Sequence, residues 1–271
     1  MQIPLFQPET KWIAPEVLPD FENAEAIAID LETCDLDLQN NGPGWPWKGG
    51  HVAGVALCFK KGREFETHYL PIGHQLGQNL DKTLVNRYLQ NLCKTNIPKV
   101  FHNALYDVGW LRTEGITVIN GELFDTMSGA ALLDENRKSY SLDNIGKSWL
   151  NIGKDETLLK EAGAAYSVKN IKKDMWKLPP KFVGPYAEQD TLVTLKLWEY
   201  EKPKLTKDNL DKLMELEMSI IPLLIEMRSK GIRVDIDKTQ QTRKKLLVQQ
   251  VELHKELYRK FNVKVDVWAS A

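Results

Sequence analysis

A mixed α/β fold, one sheet flanked by helices, is the class this sequence predicts, and three observations carry the prediction. Apolar or alternating runs of strand length come early and in succession, at 26–29, 51–59 and 66–72. From Asp81 onward the spacing becomes helical. One further strand, 98–102, interrupts it. Strands that run first as a meander and then alternate with helices fit a mixed sheet with helices packed on it.

The elements follow in order. Residues 1–21 carry Pro4, Pro8, Pro15 and Pro19 without periodicity and read as an irregular lead-in. Ala26-Ile27-Ala28-Ile29 is a short strand that ends at Asp30. Segment 40–50 is rich in Gly, Pro and Trp and reads as a loop. Lys60-Lys61-Gly62-Arg63 is the turn of a hairpin between the next two strands. Leu84, Tyr88, Leu89 and Leu92 give helical spacing over 81–94, with Asp81 as N-cap. A helix over 104–114 stops at Gly115, and Asn103 stands where its N-cap belongs. Helices are expected at 126–133 and 142–150. A lysine-rich stretch, 169–181, leads through Pro185 into a helix over about 186–200. After Pro203 the composition shifts. Residues 208–230 read as one long amphipathic helix kinked at Pro222 and ended by Gly231. Leu247, Val251, His254, Tyr258 and Phe261 then share one helical face. The expected organisation is a lead-in (1–21), an α/β domain (22–204) and long α-helices (205–271) that begin a second, incomplete domain.

The chain has 271 residues, 42% apolar and 27% charged, which is ordinary for a soluble globular protein. Its net charge of −1 excludes a global field for nucleic acid, so any basic surface is local. Cys34, Cys58 and Cys93 form no Cys-x-x-Cys pair and read as reduced thiols. No signal peptide is evident, and the apolar stretch near 220–225 is too short for a bilayer. A cytoplasmic setting with no membrane partner is expected.

Three acidic motifs carry the chemistry. Asp30 and Glu32 are two apart on a strand and share one face. Asp107 follows a strand and sits in the first turn of a helix. Tyr186 and Asp190, four apart, share one face of a helix. Singly, each has an ordinary reading: solvated carboxylates at a strand end, an acid complementing the helix dipole, a packed aromatic beside a solvated acid. Together they offer four carboxylates and a tyrosine, a set suited to two divalent cations and a phosphodiester, because hard cations take oxygen ligands.

In order and element type, Asp30-x-Glu32-Thr33, Asn103-x-x-Tyr106-Asp107 and Tyr186-x-x-x-Asp190 resemble the three motifs of the DEDDy 3′–5′ exonucleases, which have a ribonuclease H-like fold. The resemblance spans residues 22–202. Phe124-Asp125-Thr126-Met127 and Ser141-Leu142-Asp143-Asn144-Ile145 are similar to segments these enzymes carry between the second and third motifs. It implies that Asp30, Glu32, Asp107 and Asp190 bind two divalent metal ions, Mg2+ or Mn2+, and that Tyr186 orients the attacking water. The sister branch has histidine at the position of Pro185, so the tyrosine type is indicated. His102, five before Asp107, is read as structural. Glu217, Met227, Gly231-Ile232, Val234 and Asp235 resemble the junction from exonuclease to polymerase domain in family A (DNA polymerase I-like) DNA polymerases. Palm-type motifs do not follow.

The expectation is the N-terminal part of a proofreading polymerase, an exonuclease that hydrolyses the 3′-terminal phosphodiester of DNA and releases nucleoside 5′-monophosphates. Its partners would be a single-stranded or frayed 3′ end and the remainder of the polymerase. Lys169, Lys172 and Lys173, with Trp176 among further lysines, offer phosphate contacts and a stacking surface. Leu105 and Tyr106 would wedge or stack near the terminal base, and Thr33 and Asn103 would also contact the nucleic acid. Trp45 and Trp47 either flank the strand or pack at home. Two alternatives stand: an RNA-trimming exonuclease of the same superfamily, and a catalytically inactive DNA-binding module. The polymerase-like tail speaks against the first and the full set of carboxylates against the second.

Overall fold

The computed structural model describes residues 3–264. The outer ends of the expected lead-in and of the expected helical segment, 1–2 and 265–271, lie outside the described residues. Five strands form one sheet in the order β3-β2-β1-β4-β5. They are β1 Ala26–Asp35, β2 Gly50–Lys61, β3 Glu64–Pro71, β4 Lys99–Phe101 and β5 Leu123–Asp125. The helices, in chain order, are α1 Leu38–Asn41, α2 Lys82–Lys94, α3 Ala104–Thr113, α4 Thr126–Leu133, α5 Leu142–Ile145, α6 Thr157–Ala165, α7 Ile171–Asp174, α8 Pro180–Lys207, α9 Asp211–Lys230 and α10 Ile236–Phe261.

The expected meander is β1-β2-β3, antiparallel throughout. Its hairpin turns at Gly62, whose φ of 63° a side chain would strain. β4 runs parallel to β1 and β5 parallel to β4. Parallel neighbours need a crossover, which α2 and α3 supply. Asp81 caps α2 as the sequence predicts, accepting from the Thr83 and Leu84 N–H groups. Val85, Leu89 and Leu92 of α2 and Val108 and Leu111 of α3 join Ile27, Ile29 and Phe101 in one core. A second cluster holds Ala56 and Tyr69 of the sheet with Phe182, Val183, Tyr186 and Ala187 of α8. Asp30 pairs with Ala56, and Ala56 with Tyr69, so α8 covers the strand positions in line with Asp30.

Four local expectations change. The helix expected to open at Tyr186 begins at Pro180 and runs through Pro185. Pro180 stands at the first helical position, where its fixed φ is already suitable. Pro185 removes one backbone hydrogen bond, which the burial of Phe182, Val183 and Tyr186 on either side offsets. The lysine-rich stretch, to which the sequence reading assigned no element, forms α7 and a 3-10 turn, Met175–Lys177. α6 has no counterpart among the expected elements; its Leu159 and Ala162 pack in the α8 cluster. The 142–150 helix splits, α5 widening into a π-helical turn over Gly146–Leu150.

The lead-in has no regular structure but is pinned. Trp12 lies on Gly184, where any Cβ would strike the indole, and its Nε1–H donates to Glu188 Oε1 at 2.8 Å. The chain forms two compact units, Met1–Ser229 and Lys230–Ala271. In the first, Met214, Met218, Ile221 and Ile225 of α9 are buried in the same core as β1 and α3. In the second, Asp235 caps α10 by accepting from the Lys238 N–H. Among the described residues no helix is long and apolar enough to cross a membrane. Cys34, Cys58 and Cys93 are free and buried.

A buried relay holds β3 to the segment before α8. His74 Nδ1 lies 2.8 Å from the Leu178 carbonyl, which can only accept, so this nitrogen carries the proton. Nε2 must then accept, and the Tyr69 hydroxyl donates to it at 2.6 Å. Burial holds His74 down at about 4, so it is neutral at pH 7. Tyr69→Phe leaves that nitrogen unpaired. The variant should lose about 1–3 kcal/mol in urea unfolding, and an unchanged midpoint would remove the relay from the account of stability.

Candidate active site

β1 presents Asp30 and Glu32 on the α8 side, with Leu31 between them turned to the opposite core. Just after Glu32 the register slips. Glu32 faces Gly54 and Thr33 faces Val52, so β2 carries Ala53 as an extra residue and bends there. Gly54 has no side chain for a physical reason: its Cβ would collide with the Tyr69 ring.

Asp107 is carried in on the first turn of α3. Its Oδ1 accepts from the Leu31 N–H at 3.0 Å, the peptide group between the two strand acids. The start of α3 departs from the sequence reading. Asn103 occupies the cap position in a left-handed conformation (φ 73°, ψ 55°), and its side chain makes no capping bond. The acceptor is Asp125 instead. It takes the Asn103 and Ala104 N–H groups at 2.8 and 3.0 Å and caps α4 through Met127 N–H. Phe101 and Asp125 are register partners in parallel strands, so both helices leave the same sheet edge and one carboxylate serves both.

α8 supplies Tyr186 and Asp190, one turn apart and both buried. A residue outside the three motifs joins them. Lys154, in the connection before α6, donates to Asp190 Oδ2 at 2.5 Å and to the Tyr186 hydroxyl at 3.1 Å. Asp190 Oδ1 is buried without a partner.

The charges act on one another. Burial and then Asp190 push Asp30 up to about 7. Burial, then Asp30 and Asp190, raise Glu32 well above the usual range. Burial and Asp30 do the same to Asp107. Burial raises Asp190, against the pull of Lys154. Burial and Asp190 raise Tyr186, so its hydroxyl keeps its proton at neutral pH. Among the described residues no group of three or more His, Cys, Asp or Glu side chains is closed around a metal position. The donor set nevertheless fits a hard cation. It is all oxygen, its members repel one another when ionised, and Asp190 has an oxygen free to ligate.

The remaining expected residues have contacts and exposures of their own. The Tyr106 hydroxyl lies 2.6 Å from Thr33 Oγ1 and donates to Asp35 Oδ2 at 3.2 Å. The same Asp35 oxygen accepts from the Gly44 N–H. Leu105 is half-buried and Asn103 exposed. Trp45 is buried against Gly109, whereas Trp47 is 49% exposed. Lys169, Lys172 and Lys173 are exposed. Lys172 pairs with Glu156, and Trp176 stands edge-on to His51. Lys173 and Lys177 oppose the rise that burial imposes on Cys34, which places this stretch beside the end of β1. His102 Nδ1 donates to Thr126 Oγ1, whose own proton goes to the Phe101 carbonyl, in keeping with its structural reading.

Sequence reasoning missed Lys154, Asp125 and Asp35 as parts of the site. Asp125 had a signal, an acid between a strand and a helix start. Lys154, one of 36 basic residues, had none.

A family model described as 3′–5′ exonuclease matches residues 8–206. The chain is 36% identical over 244 residues to a DNA-directed DNA polymerase of Pseudomonas phage M6, covering 88% of this chain and 36% of that protein. It is 30% identical over 230 residues to DNA polymerase I of Borreliella burgdorferi, covering 83% of this chain and 23% of that one. The chain thus spans 36% and 23% of the length of these two relatives. Among solved structures, the POL domain of Pol1 from M. smegmatis, in complex with DNA primer-template and dNTP, superposes with a TM-score of 0.62 at 15% identity. That match covers 91% of this chain and 36% of the other. Such a likeness concerns the fold alone, and the fold is ribonuclease H-like.

The raised Asp30 makes stability depend on pH. In the unfolded chain it titrates near 4. Between about 4 and about 7 the folded protein therefore holds a proton that the unfolded chain has released. This contribution to stability is lost as pH rises through that window. Asp30→Asn removes the dependence. In the presence of a chelator, the Tm of the variant should gain on that of the wild type from pH 4 to about pH 7 and then level off. A constant difference would show that Asp30 is not so perturbed.

Proposed function

The chain belongs to the 3′–5′ exonuclease family found in family A DNA polymerases, and from that membership we propose that it hydrolyses the 3′-terminal phosphodiester of DNA as the proofreading part of a polymerase. A divalent-metal requirement is general in this family. The observation that carries the reading is the convergence of Asp30, Glu32, Asp107 and Asp190 from three separate elements, with Tyr186 beside them.

Asp30, Glu32, Asp107 and Asp190 would hold two metal ions, Mg2+ or Mn2+, which would lower the pKa of water and offset charge on the phosphate. Tyr186 remains protonated, so it orients the attacking water by hydrogen bonding and takes no proton from it. The water oxygen bonds to phosphorus, the bond to the preceding 3′ oxygen breaks, and that oxygen leaves with a proton. A nucleoside 5′-monophosphate is released. Tyr106, held by Thr33 and Asp35, and Leu105 bear on the terminal nucleotide, with Asn103 at the same edge. Lys169, Lys172 and Lys173 meet the phosphates of a single-stranded or frayed end, and Trp176 offers a stacking face. Residues 205–271 are, on this reading, the helical start of a polymerase domain.

A labelled single-stranded DNA incubated with Mg2+ should shorten from its 3′ end in single-nucleotide steps, faster than RNA of the same sequence. A stable 3′ end would refute the nuclease reading, and faster loss of RNA would move the substrate.

Asp107→Ala should lower kcat by about a thousandfold while leaving the unfolding transition cooperative, since a lost ligand removes several kcal/mol of charge stabilisation. Tyr186→Phe should lower kcat by about a hundredfold through misplaced water and leave metal affinity unchanged. Calorimetric titration with Mn2+ checks the division of roles: loss of metal binding in Tyr186→Phe would contradict it.

A further inference from the structure

Lys154 is the one cation inside the carboxylate cluster among the described residues, and its environment has the marks of a built position. Its side chain is 14% exposed and that of Asp190 is 8%. The ammonium ion donates to Asp190 Oδ2 at 2.5 Å and to the Tyr186 hydroxyl at 3.1 Å, and sits 5.0 Å from the centre of the tyrosine ring. Its positive charge also lowers the cost of ionising Asp30 and Glu32.

The backbone that carries Lys154 is clamped on both sides by one residue of α8. Gln189 donates through Nε2 to the Gly153 carbonyl at 3.0 Å and accepts the Asp155 N–H through Oε1, also at 3.0 Å. The Lys154 N–H itself donates to Asp143 Oδ1 at 3.2 Å. Gln189 precedes Asp190 in the chain. The helix that presents the carboxylate therefore also fixes the loop that answers it with a cation. A surface ion pair would leave two long side chains to find each other; here one partner's backbone is held in register with the other.

We propose that Lys154 is an internal counter-cation of the site, which occupies Asp190 in the metal-free protein and competes with the divalent cation for that carboxylate. The inference rests on the metal-dependent reading above and adds a positioning residue to it. Oδ1 is the oxygen left for a metal, but it shares one negative charge with Oδ2, and that single carboxylate cannot give its full charge both to a buried ammonium ion and to a metal ion. Metal loading at Oδ1 therefore weakens the hold of Oδ2 on the ammonium ion and repels it, and that loss is part of the metal's apparent affinity. In the absence of metal, the same ammonium ion limits the mutual repulsion of the four carboxylates. The clamp on residues 153 and 155 returns it when the metal leaves.

The test uses Mn2+ alone, without nucleic acid, on the full chain. Lys154→Met should bind Mn2+ about tenfold more tightly than the wild type by calorimetry, the change expected when one charge-assisted hydrogen bond no longer competes. In chelator its Tm should fall below that of the wild type, and saturating Mn2+ should close the gap. A purely structural lysine would lower the Tm alike with and without metal. Equal or weaker Mn2+ affinity in Lys154→Met would overturn the competition while leaving the exonuclease reading intact. Absence of Mn2+ binding in both proteins would overturn both.

Should Lys154→Met not fold without metal, the wild type supplies the second measurement. Acylation of Lys154 by an amine-reactive ester, followed by peptide mass spectrometry, should quicken when Mn2+ is added, because displacement from Asp190 exposes the amine. An unchanged rate at saturating Mn2+ would overturn the proposal.

Discussion

Like charges about 5 Å apart cost roughly 3 kcal/mol at an effective dielectric constant of about 20, and this molecule gathers four carboxylates where burial adds to that cost. Asp30, Glu32, Asp107 and Asp190 are each raised by burial, the first three also by their neighbours' charge. No arrangement of the apolar core relieves such crowding. What relieves it is local: the Leu31 N–H on Asp107, the Lys154 ammonium ion on Asp190, and protonation of Asp30 below about pH 7. The surrounding architecture can be understood as the means of holding a repulsive cluster in place.

That holding is done largely by backbone groups. The peptide N–H between Asp30 and Glu32 ties α3 to β1. Asp125 gathers the first N–H groups of α3 and the cap of α4 onto one carboxylate. Asp35 ties Tyr106 to the Gly44 backbone, and Gln189 ties the Lys154 segment to α8. Backbone donors and acceptors have few conformational choices once their element has formed. Side chains fixed through them inherit the rigidity of the sheet and helices, and a carboxylate cluster must be this rigid to hold metal in a defined geometry.

Within the first compact unit, the stretch after the composition shift at Pro203 joins the α/β core through packing. Met214, Met218, Ile221 and Ile225 of α9 are buried with residues of β1 and α3, although the composition of this helix differs from what precedes it. Its apolar face is satisfied locally. α10, described by itself, leaves Leu246, Leu247, Val251, Tyr258 and Phe261 exposed. A composition shift thus reports a change of sequence character, and contacts alone report where a compact unit ends.

The sequence by itself determined the class of fold, four of the five strands and most helices, and the three motifs with their five chemical groups; β5 and the order of strands in the sheet came from the structure. The sequence signals are local. Period-2 alternation, Asp81 before a helical run, Gly62 at a turn and Gly115 after a helix are all read from a few neighbouring residues. The tertiary structure alone decided how far α8 extends past Pro185, because burial of Phe182 and Tyr186 outweighs one lost hydrogen bond. It alone replaced Asn103 by Asp125 as the acceptor at the start of α3, since residues 22 apart become neighbours only when β4 and β5 pair. It alone brought Lys154 to Asp190 across 36 residues. A charge has no preferred partner until the fold sets distances, so a lone lysine in a chain rich in lysines carries no mark of what it will face.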